Sequence, residues 1–171
     1  MKSRPLMLWL MFSSLPGVAA AAGPAEDILG VGVVVTGLAL PSPSLNLVGT
    51  GLVASARLPH QLVLSTSAEA QFVAEQSLTF DSLQGTIDLE RRFLVPKSEG
   101  METRVGVGLW QNPYWGTGFC ATATISTPAL WQESALEPKL EFALRVGFSS
   151  STLTGEMWPL LAVQARLLTW M

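Results

Sequence analysis

From Leu83 to Val95 the chain alternates with a period of two. Leu83, Ile87, Leu89, Phe93 and Val95 take odd positions, while Gln84, Thr86, Asp88, Glu90 and Arg92 take even ones. Successive side chains of an extended strand point to opposite faces, so the spacing predicts a strand with one apolar and one charged face. Seven more segments alternate in the same way. They run near Ile28–Leu40, Leu45–Leu58, Leu62–Ala74, Thr103–Trp110, Phe119–Thr127, Lys139–Phe148 and Leu160–Met171, and the opening stretch belongs to a strand that begins near Leu78. Val34 and Leu38 interrupt the polar face of the first segment. Turn-forming runs separate the segments: Pro41-Ser42-Pro43-Ser44, Pro59-His60-Gln61, Pro96 to Glu102, Gln111 to Gly116, and Ser149 to Gly155. Proline fixes φ and lacks a donor, which ends a strand. Only Ala129 to Leu136 has room for a helical turn.

Segments of about 9–11 residues cross a bilayer when tilted, and evenly spaced strands with turns between them predict an up-and-down antiparallel sheet. Eight such strands can close, and closure removes exposed edges. The expected fold is therefore all-β: an up-and-down antiparallel eight-stranded transmembrane β-barrel.

Composition supports strands in a membrane. The chain is 49% hydrophobic and 13% charged, with a mean hydropathy of +0.38. Ordinary soluble domains carry about 25% charged residues. No apolar run after the N-terminal region reaches the length of a membrane helix. Lys2 and Arg4, the apolar stretch Leu6 to Phe12, and the small residues Ala19 to Ala22 form a signal-peptide pattern. Cleavage is expected near Ala22, leaving 23–171 as a single barrel domain. A net charge of −3 excludes an electrostatic nucleic-acid binder. The single Cys120 excludes an intramolecular disulfide framework.

The polar faces of the segments carry Arg57, Glu69, Asp88, Glu90, Arg92, Arg104, Glu141, Arg145 and Arg166, which balance to within one charge. A narrow lumen nearly requires such balance, because an unpaired buried charge is costly. These nine residues are expected to form a lumen ion-pair network. Within it Glu69 or Glu90 should pair with Arg104 or Arg57 across the ladder, where opposite residues approach to about 5 Å. The apolar faces carry one charge, Arg91, near a strand end. Phe72, Phe80, Tyr114, Trp115, Phe119, Phe148 and Trp158 fall towards one rim, and Phe93, Trp131 and Trp170 towards the other. Aromatic girdles at both interfaces are expected of membrane barrels. Trp110 and Trp170 nevertheless fall on the polar face.

On these features the chain resembles the small eight-stranded outer-membrane barrels of Gram-negative-type bacteria, the class of the OmpA membrane domain and OmpX. The resemblance is architectural. It implies a bacterial outer-membrane location, the lipid bilayer as partner, and a monomer that meets extracellular or envelope partners through its loops. That class commonly ends its last strand in Phe or Trp. Here Met171 is last and Trp170 stands one place out of phase.

Candidate chemistry is sparse. His60, the single histidine, sits in a Pro-bounded turn, and His60-Gln61-Leu62 does not match the His-x-Ser motif of lipid-trimming barrel enzymes. Asp88 and Glu90 lie about 7 Å apart on one strand face, a spacing open to acid–base work, but Arg92 follows on the same face and makes an ion-pair ladder. One His and one Cys cannot build a zinc site. Gly30-x-Gly32 lacks the rest of a dinucleotide fingerprint, and Gly106-x-Gly108 makes room for bulky lumen side chains. No catalytic residue, metal or cofactor is expected. The expected role is structural or surface-interacting, with a filled polar lumen that excludes a general porin and with Asn112, Tyr114 and Trp115 as an exposed contact loop. The alternatives are a secreted or periplasmic lipocalin-like barrel binding a small hydrophobic ligand and, behind it, a lipid-modifying barrel enzyme.

Overall fold

The structure is a computed structural model. It describes residues 28–40, 45–74, 78–95, 100–113, 116–130, 137–150 and 155–171. Its strands are β1 (Leu29–Leu40), β2 (Leu45–Leu58), β3 (Leu62–Ala74), β4 (Leu78–Leu94), β5 (Glu102–Asn112), β6 (Gly116–Ser126), β7 (Glu137–Ser150) and β8 (Met157–Trp170). Each pairs antiparallel with the next, and β8 returns to β1, so the sheet closes. The alternation located every strand. The bounds of β2 and β3 agree with the spacing, whereas β5 starts one residue earlier than expected, at Glu102, and ends two later, at Asn112. Between β2 and β3 a short turn, Pro59–Gln61, reverses the chain, with His60 and Gln61 at φ of 63° and 62°.

The register sets the shape. Followed around from Leu29, it passes Ala56, Leu64, Leu89, Val107, Ala121, Val146 and Leu161. It then returns to β1 at Ala39, and 39 − 29 gives a stagger of ten residues. Such a stagger tilts the strands by about 40° and leaves an interior just wide enough for side chains. A bulge between Gln71 and Phe72 leaves Asp81 as the extra residue of β4.

The two faces of the wall differ sharply. Outward positions are apolar at mid-strand: Leu52 is 70% exposed, Val107 65% and Phe119 73%. Near the end of β4, Arg91 is exposed and its guanidinium stands 5.7 Å from the Phe93 ring. Inward positions hold Asp88, Glu90, Arg104, Glu141, Arg145 and Arg166, each at most 1% exposed.

Large inward side chains stand beside glycines on a neighbouring strand. Trp170 faces Gly30, Gln71 faces Gly49, Glu69 faces Gly51, Asp88 faces Gly108, Glu90 faces Gly106 and Trp110 faces Gly118. At Gly108 a Cβ would fall on the Asp88 carboxylate, and at Gly30 it would lie 3.0 Å from the Trp170 indole. The missing side chains give each large one space to lean across the barrel. Val34 and Leu38, which break the polar pattern of β1, enter two apolar clusters. Leu38 packs with Leu47, Trp110, Leu160 and Ala162, while Val34 packs with Val53, Val63, Leu168 and Trp170. Trp110 and Trp170 are 2% and 1% exposed, so both lie inside the barrel rather than in an outer girdle. On the outside, Phe72 and Phe80 meet edge to face at 6.0 Å.

Candidate functional site

The lumen holds the chemistry. At its centre Asp88 on β4 takes hydrogen bonds through Oδ2 from Arg145 on β7 and from Arg166 on β8, the latter at 3.0 Å. Arg145 also donates to Thr86 Oγ1 at 3.0 Å, and Arg166 donates to Gln164 Oε1 at 2.7 and 3.0 Å. These side chains are at most 2% exposed. One carboxylate thus holds two guanidiniums away from bulk water.

Next along β4, Glu90 accepts from Thr124 at 2.7 Å and stands 3.7 Å from Arg104 Nε. Arg104 makes its direct hydrogen bond to Glu141 on β7. Towards the end that carries the β2–β3 turn, Glu102 Oε1 collects three cations: Arg57 at 2.9 Å, Arg92 at 3.7 Å and Lys139 at 3.7 Å. This cluster is wetter, with side chains 7–12% exposed. The Arg57 guanidinium also covers the Trp170 ring at 4.4 Å, a contact that is worth more when desolvated.

The structure therefore brings eight of the nine expected network residues into ion pairs. Glu69 differs. Its carboxylate accepts from Ser67 at 2.6 Å, Gln164 at 2.9 Å and Gln71 at 3.3 Å, and among the described residues it contacts no arginine. The expectation of pairing across the ladder also needs correction. Arg145 and Arg166 reach Asp88, Arg104 reaches Glu141, and Arg57 reaches Glu102 from strands that are not neighbours. The physical reason is the glycine opposite each carboxylate on β4, which offers no partner and leaves the lumen as the way out.

Glu102 and Lys139 are missing from the expected network. Proline and lysine upstream make Glu102 look like part of a turn. Continuing the β5 alternation two places back from Arg104 would have placed it on the polar face. Asn112 corrects the expected contact loop. It is 1% exposed and donates to Ser82 Oγ at 2.6 Å, because β5 runs two residues past Trp110 and turns Asn112 inward. Tyr114, Trp115 and Trp131 lie outside the described residues.

His60 is exposed in its turn. Cys120 is a buried free thiol facing Gly108. Among the described residues no group of three or more His, Cys, Asp or Glu could hold a metal ion. Comparison with protein-family models and with curated proteins finds no match.

Proposed function

We propose that this chain is a structural or surface-interaction barrel of a bacterial outer membrane, with a filled polar lumen and no role as a general porin. One observation carries the reading: the charges point into the barrel and the apolar side chains point out. In water this arrangement exposes the hydrocarbon and buries the ions, which reverses what a soluble fold gains. In a bilayer it is the expected one, because a closed barrel satisfies its own backbone and offers lipid an apolar belt. A lipocalin-like carrier would need the opposite arrangement, with an apolar interior for its ligand. Strands of 11–17 residues are long enough for a tilted crossing. The basic, apolar and small residues at the N-terminus favour export, and the topology is that of the OmpA membrane domain and OmpX class. The reading is non-enzymatic: Asp88 is engaged by two arginines and Glu90 by Thr124, which takes both carboxylates out of acid–base service.

The test is side-chain accessibility in reconstituted bilayers. Spin labels at Leu89, Phe142 and Val163 should be quenched by a lipid-soluble agent and protected from a water-soluble one. Quenching from the aqueous side at all three positions would refute insertion. Liposome swelling with sugars should show no flux.

A further inference from the structure

The inner wall formed by β5 and β6 is lined by small residues between two large ones. Trp110 stands at one end of this stretch of β5 and Arg104 at the other. The inward positions between them are Gly108 and Gly106, and their β6 partners are Cys120 and Thr122. Neither glycine can be filled from its own strand. A Cβ at Gly108 would strike the Asp88 carboxylate, and one at Gly106 would strike the Leu89 backbone carbonyl.

Polar atoms without a protein partner surround this wall. They are Trp110 Nε1, Asp88 Oδ1, Glu90 Oε2, Thr122 Oγ1, Arg104 Nε and Nη1, and Arg145 Nε and Nη1. Each of these residues is at most 4% exposed. The register ties them together: Asp88 lies opposite Gly108, Glu90 opposite Gly106, and Thr122 between Gly106 and Arg145. Glu90 Oε2 and Arg104 Nε stand 3.7 Å apart. That is too long for a direct hydrogen bond, and both atoms remain open to a third group.

The chemistry of the set selects the ligand. A cation would suit the carboxylate and hydroxyl oxygens, but it would leave the indole and guanidinium N–H groups unmet. An anion would do the reverse. A small neutral molecule that both donates and accepts meets all of them, and buried water typically bridges two to four such groups. We propose that the lumen face of β5 and β6 binds a short file of ordered water molecules between Trp110 and Arg104, held by Asp88, Glu90 and Thr122. The proposal concerns the inner wall and does not depend on what surrounds the outer one.

The experiment is water-to-protein cross-relaxation by NMR on the full chain, folded in detergent micelles and verified by its dispersed strand amides. The Trp110 indole N–H, assigned by its loss in Trp110→Phe, should show a water cross-peak despite its burial. Thr122→Val keeps the side-chain shape and removes the hydroxyl. It should weaken that cross-peak and lower the urea midpoint, because a water bridge is lost. Thr124→Val, which removes a direct bond to Glu90, should leave the Trp110 cross-peak in place. A folded parent with no water contact at the Trp110 indole would overturn the proposal. So would a Thr122→Val variant with a raised midpoint, since removing a dry, unpartnered hydroxyl relieves a cost.

Discussion

Asp88 and Glu102 each gather cations inside the same barrel, under different degrees of desolvation. Asp88 sits at mid-lumen with Arg145 and Arg166, where no side chain is more than 2% exposed. Glu102 opens β5, nearer a rim, and its partners Arg57, Arg92 and Lys139 keep 7–12% of their surface in solvent. Water near the rim can replace part of a lost partner. At the centre nothing screens a stranded guanidinium, because a few ordered waters do not act as bulk solvent. The same ion-pair chemistry is therefore expected to govern folding at one position and only tune it at the other.

The sharpest test removes the central charge while keeping its shape. Asp88→Asn leaves two buried guanidiniums without their carboxylate and should cost about 3–5 kcal/mol, the range for breaking a buried pair. Urea unfolding in micelles measures it. Replacing Asp88, Arg145 and Arg166 together with apolar residues of similar volume should recover much of the loss. A small effect for the single variant would place the centre on the same footing as the rim and end the contrast.

Glu102→Gln should cost less, about 1–2 kcal/mol, between the values for exposed and buried pairs. Salt sharpens the comparison. At 1 M the screening length falls to about 3 Å, so the Glu102→Gln effect should shrink while the Asp88→Asn effect persists. Equal salt sensitivity would mean that solvent reaches both clusters alike.

Asn112→Ala tests the other end of β5, where one hydrogen bond to Ser82 is lost without a change of charge. The expected cost is about 1 kcal/mol. A loss above that of Glu102→Gln would show that the end of β5 is held by more than this bond. Smallest of all is Arg91→Ala on the outer face near the end of β4, expected within about 0.5 kcal/mol of the parent. A larger loss there would mean that the outward charge is anchored, and the inside-versus-outside distinction would weaken.

Much of this architecture was legible along the chain. The two-residue period assigned Leu89 and Phe142 outward and Asp88 and Arg145 inward, because the direction of a strand side chain is a local property of the extended backbone. Eight strands, antiparallel order and the balanced charge of the polar face followed from the same alternation and from the turn residues between segments. Strand ends were less legible. Asn112 and Glu102 sit among residues that resemble turns, and only their pairing with β6, β4 and the lumen shows that the strand continues.

Partner choice belonged to the tertiary structure alone. Asp88 lies 57 positions from Arg145 and 78 from Arg166, and no spacing along the chain relates them. Closure with a ten-residue stagger and glycines at the facing positions bring them together. The same closure drew Trp110 and Trp170 inside, over Gly118 and Gly30. The sequence by itself determined which face each side chain takes, since that is set within one strand. Which side chains meet depends on register and barrel radius, and those exist only once all eight strands have closed.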